Sequence, residues 1–520
     1  MIRCRFTYMI AALLLLTSAC SDELRTDSPE GGEGSDGSSF LKLTIHCPTA
    51  TGQTLLRSDL PTGGEPGDGD EAGQDYENRI DNFMLLFYQG ESRSNSSAGT
   101  PIDKIMYFDR EEITDGSDLI SVNLPAGEYD LLVITNTGDM RSSLQGKNLG
   151  EIRDYLLTWA WQESDGEYSR FVMTSDGHTE DRVTLCGNPE SNPANAVVEV
   201  ERLAARIDYQ AVRTVYEVND TTYGAATVSI VGGVIVNKMK AGSYLLKRVA
   251  DPDGDNKLVS QTPVTFLADE IPSEGGVQRN YVVDPWSYLK TAANATASVF
   301  SPAAPGSGNR PVSELYENYY TSFGGSVANW EKAIVAGTPI DGWMRLGYTM
   351  ENTVSRENQI DAYTTFAVFK ARYTPTGFNE GQTFYVRDGK IYRTREEAEQ
   401  VNSTKPIREY KDGNCYYTWR IRHSNDGDDS ARGIMEYAIV RNNIYKLRIS
   451  DIYALGDEIP FPAPDPTPTP TPTPTPDPVP DPEPNPDPEP EPEPEKEKVR
   501  INIEVIVEKW TTLADEHIYL

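Results

Sequence analysis

The side chains of this sequence that could do chemistry are few and scattered. Its four histidines, His46, His178, His423 and His517, lie far apart in unlike settings. None stands beside a second ligand at metal spacing, so each reads as a surface or strand residue rather than a ligand or a base. Asp251-Pro252-Asp253-Gly254-Asp255-Asn256 looks like half a calcium loop. Its glycine, however, stands at the fourth position instead of the sixth, and Thr262 takes the place of the closing glutamate, which favours an acidic turn. The pair Glu396-Glu397 falls in a solvated helix pattern. There is no phosphate-binding Gly-Lys loop, no G-x-S-x-G elbow and no C-x-x-C pair. The expectation is therefore a protein without catalytic residues, cofactor or metal. An exported hydrolase with dispersed acids is a distant third reading, because a glycosidase's two carboxylates leave no local signature.

Two other residues carry chemistry that a second protein would perform. A basic start (Arg3, Arg5) leads into an apolar run through Ala11 to Leu16 and then Thr17-Ser18-Ala19-Cys20. The run is too short to span a bilayer and ends in small residues, as an export signal does. It resembles the lipobox of bacterial lipoproteins, with Thr17 where leucine is usual, and that resemblance makes Cys20 the lipidated residue. Ser21-Asp22-Glu23 resembles the acidic signal that sends lipoproteins of the Bacteroidetes group to the outer surface. Further on, Arg57 followed by Ser58 lies in the Gly-, Asp- and Pro-rich loop from Pro48 to Gly73, where an arginine is open to a trypsin-like protease.

Composition narrows the partners. The 520-residue chain carries 47 basic and 80 acidic residues, a net charge of −33, which argues against nucleic acid or an anionic membrane surface. Loss of a signal peptide takes Cys4, and lipidation would occupy Cys20. That leaves Cys47, Cys186 and Cys415, which do not make a disulfide framework. Val, Ile, Thr and 28 Tyr spread among turn residues point to mostly β structure, and the length points to two domains.

The elements follow in order. After a signal peptide at 1–19 and a polar tether, Phe40 to Cys47 places Leu41, Leu43, Ile45 and Cys47 on alternate positions, the pattern of a first strand. Glu77 to Gly90 and Leu124 to Asn136 read as strands, Asn148 to Gln162 as a helix, and Val197 to Tyr209 as the close of the first region. The turn-rich stretch Val218 to Gly224 marks the expected boundary, giving an N-terminal sandwich at 58–217 and a C-terminal one at 218–459, with residues 20–57 as tether and first strand. In the second region strands are expected at Ala226 to Val236, Tyr244 to Val249, Thr364 to Tyr373, Tyr416 to Arg422 and Ala438 to Ile452, with helical patterns at Val312 to Tyr320 and Thr394 to Val401.

Residues 460–498 are almost unbroken X-Pro, a polyproline II spacer that could reach on the order of 100 Å. Beyond it, 499–520 opens with a strand in which Val499, Ile501, Ile503, Val505 and Val507 fall on alternate positions, with Asn502, Glu504 and Glu508 on the other face, followed by Trp510. A terminal apolar strand must pair with its own sheet or with the open edge of another molecule.

Taken in order, the lipobox at Cys20, ENRIDNFMLLFYQG, LPAGEYDLLVITN, VERLAARIDY, TFYVRDGKIYRTREEAEQ, EYAIVRNNIYKLRISDIYALG and the closing IEVIVEKW resemble the Bacteroidales fimbrilin family of type V pilins, in particular the major subunit of the short fimbria. The resemblance implies an all-β protein of two transthyretin-like β-sandwiches with a few short helices, exported as a lipoprotein to the outer membrane. It implies an arginine-specific protease that removes the first strand (Leu41, Leu43, Ile45) by cutting between Arg57 and Ser58. The groove is then filled by a strand from a neighbouring subunit, supplied by Ile501, Ile503, Val505, Val507 and Trp510 or by the tail beyond, and the product is an extracellular, adhesive fimbrium. The competing reading is a monomeric surface lipoprotein that binds glycan or host protein through aromatic-rich loops.

Overall fold

The computed structural model describes residues 38–46, 70–89, 99–109, 119–175, 182–247, 282–287, 290, 312–320, 331–423, 435–460, 500–511 and 518–519. Among them strands predominate and the helices are short.

The run FMLLFY is buried along its whole length in the strand Asn82–Tyr88, and its alternation explains how. Phe83, Leu85 and Phe87 face one core with Leu41, Leu43, Ile45 and Leu131. Met84, Leu86 and Tyr88 face a second core with Leu149, Ile152 and Tyr348. An apolar residue at every position is what a strand covered on both faces requires. This strand lies between Lys104–Asp109 and Gly127–Thr135 in a nine-stranded sheet, which continues through Met173–Ser175 and Ala194–Arg202 to the first strand, Ser38–His46. Gly127–Thr135 ends at Asn136, whose φ of 61° suits asparagine. Its side chain accepts from the Asp81 N–H at 2.8 Å and donates to the Phe171 and Arg79 carbonyls at 2.7 and 2.9 Å, closing the turn.

The C-terminal half is a sandwich. Its six-stranded sheet runs Thr338–Ile340, Trp343–Met350, Ala204–Ala211, Asn443–Ile452, Ile501–Thr511, Asp70–Ala72. Its four-stranded sheet runs Tyr216–Asp220, Gly224–Val236, Phe366–Pro375, Asn414–Arg420. Between them lies an aromatic and aliphatic core that includes Tyr216, Phe369, Tyr417, Trp419, Tyr445 and Leu447.

Several expectations change. The strand Ala194–Arg202 belongs to the nine-stranded sheet and Ala204–Ala211 to the six-stranded one, so the chain passes between sheets at Leu203, within VERLAARIDY. The turn-rich stretch Val218 to Gly224 is instead the hairpin joining two strands of one sheet. A two-sided hairpin turn and a linker share the same turn residues. The helix expected over Asn148 to Gln162 is the short Leu149–Arg153, started by an Asn148–Glu151 capping box. Leu156–Leu157 then pairs with Ser243–Tyr244, so tertiary pairing overrides the helical spacing. The pattern at Val312 to Tyr320 resolves into a 3₁₀ turn, Val312–Glu314, and a short strand, Tyr316–Glu317. Glu77, expected to start a strand, sits in the helical turn Asp75–Asn78.

One close backbone approach is testable. The Gly224–Val236 strand shifts register between Ile230 and Gly232, and a Cβ on Gly232 would lie 2.3 Å from the Val335 carbonyl oxygen. Gly232→Ala should cost about 1–3 kcal/mol, read as a lower urea midpoint at unchanged slope. An unshifted midpoint would show that the Val335 backbone yields freely.

Candidate functional site

The first strand presents its apolar face inward, with Leu41, Leu43 and Ile45 fully buried. One edge runs parallel to the strand Ala194–Arg202, Leu41 opposite Ala194 and Ile45 opposite Val198. The other edge is shared, because Ser38 to Leu41 pair with Ile120–Asn123 while Thr44 and Ile45 pair with Tyr519 and Ile518. Ser39 accepts from the Gly187 N–H at 3.0 Å, and Phe40 N donates to Asn188 O at 2.9 Å. Each buried aliphatic contributes roughly 1.5–3 kcal/mol. Without this strand the N-terminal core would open as an apolar groove beside an unpaired backbone edge.

The last long strand, Ile501–Thr511, is built into the chain's own sheet. It runs antiparallel to Asn443–Ile452, with Val505 opposite Leu447, and parallel to Asp70–Ala72, with Trp510 opposite Glu71. Ile501, Ile503 and Val507 are buried in the C-terminal core, and half-buried Val505 packs against it. Trp510 falls on the opposite face of the strand and enters the other core, between the two sheets. Its indole stacks on Tyr348 at 5.8 Å and meets Phe171 edge-on at 5.8 Å. The Arg202 and Arg206 guanidinium carbons lie 4.6 and 5.6 Å from its ring. Arg202 also donates to the Trp510 carbonyl at 3.1 Å and to Asn442 Oδ1 at 3.2 Å.

Around this tryptophan lies a buried charge network. Arg206 donates to Glu77 at 3.0 Å, to Asp208 at 3.1 Å and to Glu71, and Lys446 bridges Glu71 and Glu508. Burial disfavours charge on every member, and the pairing decides which way each moves. Burial pushes the Asp208 carboxyl up to about 6 against the pull of Arg206. Burial also works on Glu71, but Arg206 and Lys446 prevail and hold it below its usual range. Glu508 is raised by burial and by hydrogen bonding with Glu71. The network joins strands from distant parts of the chain.

Other candidates play structural parts. Glu397 accepts from the Thr394 and Arg393 N–H groups as the cap of the helix Arg395–Glu399, with Glu396 beside it in the first turn. His423 is buried, with Nδ1 2.9 Å from the Tyr445 hydroxyl. Burial pushes the Cys415 thiol up to about 12, while Cys186 is exposed. Among the described residues no group of His, Cys, Asp and Glu is placed to hold a metal ion, and no helix is long and apolar enough to cross a membrane. Cys20, Arg57, Ser58, Cys47, Asp251 to Asp255, the proline tract and His517 lie outside the described residues. The sequence reading missed Arg202 and Arg206. The signal was there: in ERLAARIDY, Arg202 and Arg206 stand among apolar strand residues, and such charges must find partners.

Two outcomes follow for the junction. Trp510→Ala should lower stability by about 3–5 kcal/mol, seen in the denaturant midpoint. Asp208 holds its proton more tightly folded than unfolded, where a carboxyl titrates near ~3.9. Its favourable contribution is complete below that value and is lost as pH rises through about 6. Asp208→Asn should therefore flatten the stability–pH slope between roughly 4 and 6 relative to wild type. Parallel slopes would mean that the carboxyl titrates normally.

The strands Asn414–Arg420, Asn443–Ile452 and Ile501–Thr511 all fall within residues 408–516, which match the family described as major fimbrial subunit protein type IV, fimbrillin, C-terminal. No curated protein matches the chain. Among solved structures, the chain is similar to a fimbrilin from Porphyromonas gingivalis W83, at 12% identity over 92% of this chain and 99% of that one, with a TM-score of 0.39. A tip fimbrial protein from Porphyromonas gingivalis with C-terminal truncation aligns at 10% identity over 91% and 100%, with a TM-score of 0.34. A protein described as a cell adhesion protein, from Parabacteroides distasonis ATCC 8503, aligns at 13% identity over 91% and 100%, with a TM-score of 0.40. Over its segment 408–516 the chain matches the fimbrillin C-terminal family, and that segment supplies the central and closing strands of the sandwich described above.

Proposed function

We propose that this fimbrial structural subunit is exported as a lipoprotein on Cys20, is cut between Arg57 and Ser58, and polymerises by accepting a neighbour's C-terminal strand in place of its own first strand. The observation that carries the reading is the first strand itself. Three buried aliphatics on a strand that leads directly into the segment holding Arg57 make a removable cover for an apolar groove. Strand addition restores both the apolar contact and the ladder, and head-to-tail donation gives an open filament.

Between the two donor segments, the residues beyond Thr511 are the better choice. Withdrawing Ile501–Thr511 would strip Ile501, Ile503, Val507 and Trp510 from their cores at roughly 1.5–3 kcal/mol each. It would also leave Asp70–Ala72 unpaired and one edge of Asn443–Ile452 open. In the tail, Ile518–Tyr519 already pairs as a strand with the N-terminal sheet. In this reading Ile501, Ile503, Val505, Val507 and Trp510 anchor the donor rather than being donated. The proline spacer precedes the anchor and leaves both sandwiches intact when shortened.

The test uses two variants. Arg57→Ala should give a lipidated, folded monomer that keeps its first strand, and N-terminal sequencing of surface-extracted wild type should begin at Ser58. Deletion of 512–520 should yield a cleaved subunit that accepts a strand but cannot donate one. Mixed, the two should pair without forming long fibres, read as unboiled SDS-gel ladders after limited trypsin treatment. Long fibres from Arg57→Ala would rule out that site and move attention to Arg25; long fibres from the tail deletion would return the donor role to Ile501–Val507. Cys20→Ser should abolish acyl labelling, and normal labelling would sink the lipoprotein assignment.

A further inference from the structure

Beside the end of the strand Trp343–Met350 lies a polar cluster in which a lysine is sealed from water. Lys290, Asp284 and Asn352 are all essentially without exposure, walled by Trp286, Tyr316 and Tyr363. Lys290 Nζ donates to Asp284 Oδ2 at 2.5 Å, to Asn352 Oδ1 at 2.6 Å and to the Thr353 carbonyl at 2.9 Å. The orientation of the Asn352 amide is fixed by its surroundings. Its Nδ2 donates to the Tyr363 carbonyl at 2.7 Å and to Thr365 Oγ1 at 2.9 Å, so its carbonyl end must face the lysine. Asp284 is held by the N–H groups of Trp286 and Thr353 at 2.7 and 2.6 Å.

A lysine ammonium is tolerated in such a place because Asp284, Asn352 and the Thr353 carbonyl accept its three hydrogens, while burial lowers the Lys290 pKa against the opposing pull of Asp284 and so eases deprotonation. The neutral amine that burial favours is a nucleophile. A neutral carboxamide, unlike an ionised carboxylate, has an electrophilic carbon, and here it is held against that amine with no water between. Fixed contact of this kind replaces an improbable encounter with an effective concentration far above any in solution.

We propose that Lys290 and Asn352 join in an intramolecular isopeptide bond, with Asp284 carrying the proton. The lone pair of the neutral Lys290 amine attacks Asn352 Cγ, and the carbonyl π electrons move onto Oδ1. Asp284 takes one proton from the attacking nitrogen and returns it to Nδ2. The carbonyl re-forms as the Cγ–Nδ2 bond breaks, and ammonia leaves. One C–N bond forms and one breaks, no oxidant is needed, and Asp284 ends as it began. The bond would tie together residues 62 apart in sequence, pinning the segment around Lys290 to the sandwich and restricting the unfolded chain as any cross-link does.

Intact-mass spectrometry of the purified full chain tests this without any variant. The expected result is a chain lighter by one ammonia, with a branched tryptic peptide joining the Lys290 and Asn352 segments and no cleavage after Lys290. Lys290→Met, Asn352→Ala and Asp284→Ala should each restore the full mass. The wild-type measurement stands whether or not these variants fold. A wild-type chain of full mass, cut after Lys290, overturns the proposal and leaves a buried ion pair. Ammonia loss without a branched peptide, as from a succinimide, also overturns it. Loss of one water would move the bond to Asp284, and ammonia loss persisting in Asp284→Ala would remove that carboxyl from the mechanism.

Discussion

The structure depends on where Ile501–Thr511 can satisfy its backbone. A strand with four alternating apolar positions, Ile501, Ile503, Val505 and Val507, cannot stand alone, and here it is paired on both edges. One face completes the C-terminal core and the other delivers Trp510 to the junction between sheets, where Arg202 and Arg206 meet its ring and Arg202 bonds its carbonyl. Without that strand, Glu71 and Lys446 lose Glu508 and the charges around Arg206 lose an apolar cover. Burying so many ionised groups is tolerable only when each has a partner, and removing one partner is far more damaging than the pair is stabilising. The cluster therefore fixes one arrangement of strands drawn from both ends of the chain.

This constraint separates the two ends in kind. The strand Ile501–Thr511 is held by core contact and by ion pairs, whereas Ile518–Tyr519 pairs along the edge of the first strand. The first strand is buried yet meets the fold through side chains on one face and through ladder bonds, with no ion pair of its own among the described residues. In the proposed reading a removable strand must be apolar enough to seal a groove, and Leu41, Leu43 and Ile45 give Ser38–His46 that character.

Much of the fold was legible because it is written in period-2 alternation. The strands at Phe40 to Cys47 and Ala226 to Val236 were each found within a few residues of their observed bounds, and the expected terminal segment 499–520 contains the strand Ile501–Thr511. What was not legible depended on contacts distant in sequence. Nothing local tells that Leu203 is the crossing point, since the residues on both sides continue as strands. Nothing local tells that Leu156 and Leu157 leave a helix to pair with Ser243–Tyr244. The junction charges were visible as misfits in ERLAARIDY, but their partners Glu71, Glu77 and Lys446 are scattered from one end of the chain to the other.

The same reasoning explains why chemistry was hard to read from the sequence. Lys290, Asp284 and Asn352 form no motif, because the lysine and aspartate stand on one segment and the asparagine lies beyond the end of a strand in another. Their proximity comes from packing around Trp286 and Tyr363, residues that by themselves signal only a core. A search for catalytic spacing passes over them, and so does a count of histidines and cysteines. A protein whose work is to hold together under assembly has little use for an open cleft. The side chains with unusual reactivity are then expected inside the packing, where burial rather than a neighbouring motif sets their chemistry.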